Sequence, residues 1–289
     1  MDFRKKMLEK PPWITTTVDV TSFQHLISKI QKYNLHVVCF EATCPNIGTC
    51  FHKRTATFLI LGDTCTRNCK FCGIMKGIPS VPDPNEPKNI VKLIKELTLK
   101  HIVITSVTRD DLLDQGVSQF VQTIREIRKA LSGIVIEVLI PDFQGKTEIL
   151  NQLIRERPEI INHNVETVPR LYPTIRPQAN YLRSLQVLKF IKEKDPSIYT
   201  KSGFMIGLGE SNIEIKSLLR DLKGVQCDIV TIGQYLQPSD HQISVQQYYT
   251  PSEFEAFEQY GKRLGFAHLT AAPLVRSSYN AEEFSQKFL

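Results

Sequence analysis

Seven short apolar runs alternate with amphipathic stretches along this chain, and that alternation constrains its fold more than any other feature. The runs are 55–62 (TATFLILG), 101–108 (HIVITSVT), 134–141 (IVIEVLIP), 160–167 (IINHNVET), 199–210 (YTKSGFMIGLGE), 228–236 (DIVTIGQYL) and 266–273 (FAHLTAAP). Each is short and rich in β-branched residues, as a buried parallel strand should be. Between them, 88–99, 117–131, 144–156, 180–194, 211–223 and 251–264 repeat apolar residues at helical spacing. Val117, Phe120, Val121, Ile124, Ile127 and Leu131 form one such face. Pro251-Ser252-Glu253 reads as a helix start with an acid in its first turn. Strand–helix alternation requires parallel strands joined by right-handed crossovers. The reading is α/β: a partial (β/α)6-type barrel over 55–265, preceded by an N-terminal extension (1–54) and followed by a C-terminal strand and tail (266–289). An open doubly wound sheet is the structural alternative. In a barrel, chemistry belongs at the C-terminal strand ends.

Composition narrows the function. With 42% hydrophobic residues over 289 positions, the chain has enough apolar material for a sizeable core. Its net charge of +6 is spread along helices, at Lys92, Lys95 and Lys100 among others, rather than clustered as a phosphate groove needs. No nucleic-acid role is expected; the basic surface suits an acidic partner or an anionic substrate. No apolar run reaches the length of a membrane span, and the segment MDFRKKMLEKPPW lacks the apolar core of a secretory signal. A cytoplasmic location is therefore expected. In a reducing compartment clustered cysteines favour metal over disulfide, and an odd count of seven fits that.

Six of the seven cysteines fall between Cys39 and Cys72. Cys39, Cys44 and Cys50 read C-x4-C-x5-C; Cys65, Cys69 and Cys72 read C-x3-C-x2-C within CTRNCKFC, directly after the first strand. A four-iron cube normally takes one thiolate per iron. Three thiolates in one tight loop leave the fourth iron open, which is how a metal centre reaches a substrate. Phe71 beside Cys72 would shield one side. The rival is zinc, but zinc sites commonly join a C-x2-C pair to a distant second pair, and none is present.

The C-x3-C-x2-C spacing after a first barrel strand resembles the radical S-adenosylmethionine superfamily. CFEATCPNIGTC followed by TATFLILGDTCTRNCKFC resembles, within it, the lipoyl synthase family, from KPPW (10–13) to RSSY (276–279). The resemblance implies two 4Fe-4S clusters and S-adenosylmethionine. Cys65, Cys69 and Cys72 would hold the radical-generating cluster; Cys39, Cys44, Cys50 and Ser278 would hold an auxiliary cluster that gives up its sulfur. A hard serine oxygen binds such a cluster less firmly than a thiolate, which suits a cluster that is dismantled. Read locally, Ser277-Ser278 is a surface turn or helix cap. Glycines at a strand end let backbone approach a ligand, and the resemblance gives Gly207 and Gly209 a cofactor contact. It also makes Asn164, Glu166 and Arg176, in NHNVETVPRLYPTIRP, cofactor contacts, with Arg176 suited to clamp a carboxylate.

Arg109, Asp110 and Asp111 of TSVTRDDLLDQG resemble a family segment that orders the cavity or engages substrate. Gln115, Thr49 and Gln178 depart from the family pattern, which has glycine at the first and third positions and often glutamate at the second. His163 reads as a satisfied structural histidine and Cys227 as a small buried residue. Trp13 reads as an anchor for the N-terminal arm.

The implied activity is insertion of sulfur at C6 and C8 of an octanoyl group on a lysine of a carrier protein, by radical chemistry. Expected partners are an octanoylated lipoyl carrier domain or glycine-cleavage H protein, an electron donor such as ferredoxin or flavodoxin, and an iron–sulfur cluster carrier protein. The rivals are another radical enzyme with an auxiliary cluster and a non-catalytic iron–sulfur scaffold.

Overall fold

The computed structural model describes residues 9–15, 27–41, 46 and 56–278. Seven parallel strands carry the fold: β1 (Ala56–Ile60), β2 (His101–Ser106), β3 (Val135–Leu139), β4 (Ile160–Asn162), β5 (Tyr199–Ile206), β6 (Ile229–Gln234) and β7 (His268–Ala272). Six helices connect them: α1 (Glu86–Leu97), α2 (Val117–Ala130), α3 (Thr147–Arg155), α4 (Tyr181–Lys194), α5 (Asn212–Gly224) and α6 (Pro251–Leu264). The strands pair strictly in chain order from β1 to β7, and His36–Val37 adds an antiparallel strand outside β1.

That order decides between the two architectures. A doubly wound sheet reverses its strand order at a switch point. Here no reversal occurs, and α1, α2, α3 and α4 touch one another in sequence. The sheet curls one way as a partial barrel, and among the described residues β7 does not pair with the opposite edge.

Alternation along the strands separates core from cavity. Ile104 of β2 and Val138 of β3 are fully buried against Phe120, Ile124 and Ile127 of α2. Their neighbours Thr105 and Leu139 face the barrel interior and line a cavity there. A second apolar cluster joins Val230 and Ile232 of β6 to Leu218 and Leu219 of α5 and Phe254 and Phe257 of α6. Cys227 is buried in this cluster, its Sγ 3.3 Å from the Ile229 carbonyl.

Glu137 shares the inward face of β3 with Leu139, nearer the strand start. It is fully buried and meets Lys201 Nζ at 2.9 and 3.1 Å, His101 Nε2 at 3.5 Å and Asn162 Nδ2 at 3.2 Å. Burial works against its charge, but Lys201 and His101 outweigh burial and hold the carboxyl at about 2. This polar plug closes the floor of the barrel.

Local chemistry sets the element ends. Thr250 caps α6 in a capping box with Glu253, Pro251 opens the first turn, and Gly265 ends the helix at φ 80°. Ser211 and Glu214 form the same box on α5. Several boundaries differ from the sequence reading; the run 199–210, for one, is a strand only to Ile206. The run 160–167 is a strand only to Asn162; further on, Glu166, at φ 65°, pairs with Phe204 of β5 as an isolated bridge. The helix expected from 144 starts at Thr147, because Asp142 accepts from the Gln144 amide and Gln144 and Gly145 take positive φ. No helix among the described residues is long and apolar enough to cross a membrane.

Candidate active site

Cys65, Cys69 and Cys72 stand on one loop after β1, at the C-terminal end of the barrel, and all three line a cavity of about 470 Å³. A two-residue parallel ladder, Thr64–Cys65 against Met75–Lys76, closes the loop. Inside it the Cys72 amide donates to the Cys69 carbonyl at 3.2 Å, and the Arg67 amide donates to Cys65 Sγ at 3.4 Å. From outside, the Thr66 amide donates to Thr108 O at 3.1 Å and the Lys70 amide to Ile175 O at 2.9 Å.

Arg67 is the loop's main tether. Its side chain is buried, donates to Asp110 at 2.6 and 2.9 Å and reaches Asp142 at 2.7 Å. Burial alone would raise Asp142, but Arg67 overrides it and leaves the carboxyl at about 2. Arg109 is buried and folds onto Asp111 at 2.8 and 2.9 Å, with a further bond to the Leu61 carbonyl. None of Arg109, Asp110 and Asp111 lines the cavity: the TRDD segment orders the loop that does. Gln178 adds a tether that glycine lacks, accepting from the Asn68 amide at 2.6 Å.

The thiols are free. Burial raises Cys69, against the pull of Arg176, and pushes Cys72 up to about 12. In the metal-free chain these two stay protonated at neutral pH, so loading metal releases protons. Among the described residues no three His, Cys, Asp or Glu side chains converge on a single ion. Three thiols on one loop lining a cavity suit a cluster that takes each sulfur on a separate iron.

The 162–176 segment forms the facing wall. Asn164, Glu166 and Arg176 all line the cavity. Arg176 is buried, with Nη1 donating to Asn164 O at 3.1 Å and Tyr172 Oη at 3.0 Å. Burial raises Glu166, while Arg176 and an Asn164 hydrogen bond oppose it. Three buried polar atoms of lining residues have no hydrogen-bond partner among the described residues: Ser106 Oγ, Asn164 Oδ1 and Arg176 Nε. Unpartnered buried groups are costly, and together they ask for a polar ligand. His163 offers no free nitrogen, since Nδ1 meets Ile140 O at 2.9 Å and Nε2 meets Ser184 Oγ at 3.0 Å. Burial lowers it to about 4.

Phe71 lines the cavity and packs with Ile175, Leu208 and Tyr235. Gly207 and Gly209 do not line it. Their loop closes on itself through Glu210, which accepts from the Gly207 and Leu208 amides. A Cβ at Gly207 would lie 2.1 Å from Gln234 Nε2, so packing requires glycine there.

Ser277 and Ser278 line the same cavity as the thiol loop. The hydroxyl drawn into the wall is that of Ser277, which accepts from Asn164 Nδ2 at 2.6 Å. One residue of the first-triplet span is described: Asn46 is buried and donates to Leu274 O, beside the serines. Cys44, Cys50 and Thr49 lie outside the described residues, as does the side chain of Cys39. Trp13 anchors its arm by donating to Tyr249 O at 3.2 Å.

Sequence reasoning passed over Arg67, Asp142 and the specific contact of Ser277. Asp142 follows the end of β3, where a barrel concentrates its chemistry, so its position was a usable signal. Arg67 stands inside the cysteine motif but declares nothing until its partners are known.

Residues 59–222 match the model of the Radical SAM superfamily. Solved structures of low identity share the fold. Streptococcus suis SuiB bound to S-adenosylmethionine aligns with a TM-score of 0.60 at 11% identity, over 92% of this chain and 59% of that one. Methylornithine synthase aligns at 0.56 and 12% identity, over 91% and 83%. A three-thiol loop at the mouth of a partial barrel, with this match, makes the chain a radical S-adenosylmethionine enzyme. Lipoyl synthase of Caldicellulosiruptor saccharolyticus is 51% identical over 95% of this chain and 97% of its own length. That of Caldanaerobacter subterraneus subsp. tengcongensis is 48% identical over 95% and 96%. The chain belongs to the lipoyl synthase family.

The residues present fit the groups that this family implies. The loop offers sulfur donors for a cluster, and the unpartnered atoms on the facing wall suit an amine and a carboxylate.

Proposed function

We propose that this protein inserts two sulfur atoms, at C6 and C8, into an octanoyl chain amide-linked to a lysine of a carrier protein, forming the lipoyl group. The observation that carries the reading is one cavity whose lining includes both the thiol loop and the serine pair. When bound, S-adenosylmethionine and two 4Fe-4S clusters supply the radical chemistry and the sulfur.

Cys65, Cys69 and Cys72 would hold the first cluster. Cys39, Cys44 and Cys50 would hold the second, with Ser278 as its oxygen ligand. Asn164, Glu166 and Arg176 would orient the methionine part of S-adenosylmethionine. Phe71, Leu139 and Met205 give the cavity apolar walls that suit an alkyl chain and exclude water. The extension 1–54 and the tail 266–289 would close the auxiliary site round the 55–265 core. A carrier domain or H protein brings the chain, and the net charge of +6 favours an acidic one. Ferredoxin or flavodoxin supplies electrons, and a cluster carrier rebuilds what turnover consumes.

Iron and acid-labile sulfide, counted after anaerobic reconstitution, test the reading. Two clusters give about eight of each per chain, falling to about four when Cys39, Cys44 and Cys50 are replaced by alanine. About four in both proteins removes the auxiliary cluster and with it sulfur insertion. With about eight, octanoyl carrier plus reductant and S-adenosylmethionine must yield a dithiolane. Ser278→Ala should still cleave S-adenosylmethionine but insert little sulfur; equal loss of both activities would argue against Ser278 as the auxiliary-cluster ligand.

A further inference from the structure

Asn164 Nδ2 donates both to Glu166 Oε1 at 3.1 Å and to Ser277 Oγ at 2.6 Å. A nitrogen facing a carboxylate fixes the amide's orientation, because the reverse would set oxygen against oxygen. Its Oδ1 is buried and has no partner among the described residues. One side chain therefore touches the wall residue Glu166 and the far end of the chain.

Two inward glycines seat that end. A Cβ at Gly203 of β5 would meet Thr231 Oγ1 of β6 at 2.6 Å, Asn164 Oδ1 at 3.0 Å and Ser277 Oγ at 3.1 Å. A Cβ at Gly233 of β6 would lie 2.1 Å from the Val275 carbonyl oxygen. The 274–278 strap lies in the notch these glycines leave. Its other end accepts from Asn46, inside the span of the first cysteine triplet. A hydrogen-bonded path thus runs from Glu166 through Asn164 and the strap to Asn46.

We propose that Asn164 is a positioning residue that couples occupancy of the S-adenosylmethionine wall to the 274–278 strap. Holding Ser277 fixes the strap; by reciprocity, a ligand that engages Asn164 or Glu166 changes how firmly the strap is held, and the strap changes that ligand's affinity. The cofactor half rests on the function proposed above; the strap half does not.

Hydrogen exchange of the 274–278 amides in the metal-free full chain tests the strap half. Asn164→Ala and Ser277→Ala each remove one end of the same bond. Each should speed exchange about fivefold, and the double variant no more than the faster single one. If Asn164→Ala does not fold, Gly203→Ala fills the notch from the opposite side and should speed the same amides. Additive effects in the double variant, or wild-type exchange in Ser277→Ala, would overturn the proposal. Equilibrium dialysis of S-adenosylmethionine against the reconstituted Ser277→Ala enzyme tests the coupling. Binding about threefold weaker or more supports it, since a strap with no link to the wall would leave affinity unchanged. An unchanged affinity overturns the coupling even where the exchange result holds.

Discussion

Arg67 and Asp142 meet at 2.7 Å across two loops, joining the cysteine loop after β1 to the residue that follows β3. Asp142 is fully buried and Arg67 nearly so, and Asp110 binds the other side of the same guanidinium. The thiol loop owes its place in the barrel mouth to this clamp.

Arg67→Gln removes the cation and leaves Asp142 buried. Breaking a buried pair from one side costs about 3–5 kcal/mol, and the loss here should fall short of that because Arg183 still reaches Asp142 at 3.1 Å. Because Asp142 sits below its ordinary 3.8, at about 2, the pair's contribution is complete above pH ~4 and fades as pH falls toward 2. Urea unfolding of wild type and Arg67→Gln should therefore differ most at neutral pH and converge in acid. Iron retained by the loop should fall in the variant at neutral pH.

Glu137→Gln strips the floor plug of its anion and strands Lys201. A loss of about 3–5 kcal/mol is expected at neutral pH. The folded carboxyl is depressed to about 2 from 4.5, so wild type loses this advantage between those values as pH falls. Replacing Glu137 and Lys201 together by Gln and Met should cost less than Glu137→Gln alone. A double variant less stable than the single one would show that the pair does not act as a unit.

Gln115 has φ 52°, is buried, and leaves its Oε1 without a partner. Left-handed backbone is strained for a side chain and easy for glycine. Gln115→Gly should raise stability by about 0.5–1 kcal/mol, the relief of strain and of an unpaired oxygen exceeding the entropy that glycine adds to the unfolded chain. A lower melting temperature would mean that the buried methylenes matter more than the backbone.

The two glycines of the 207–210 loop should respond differently to alanine. Both have φ above 100°, but a Cβ at Gly207 would also meet Gln234 and the Gln247 carbonyl at 2.1 and 2.6 Å. A Cβ at Gly209 meets only Gln246 Cγ at an ordinary 3.6 Å. Gly207→Ala should lower the melting temperature clearly more than Gly209→Ala, since it adds a steric clash to the shared backbone strain. Equal effects would assign the whole cost to φ.

Much of the fold was legible because its causes are local. Apolar periodicity, β-branched runs and the caps at Ser211 and Thr250 act over a few residues, and the seven strands and six helices fall where those patterns lie. The misplaced start before Thr147 follows from positive φ at Gln144 and Gly145, which no periodicity announces.

By itself the sequence determined that three thiols share one loop after the first strand, because only three and two residues separate them and nothing can part them far. It determined the parallel layout too, since each helical stretch is a crossover. Only the tertiary structure decided what stands opposite that loop. Ser277 reaches Asn164, Arg67 reaches Asp142 and Asn46 reaches Leu274 across long intervals of chain. Such contacts depend on strand order and on which residues along each strand point inward. Those are properties of the closed-in sheet, and they exist only once the whole barrel has packed.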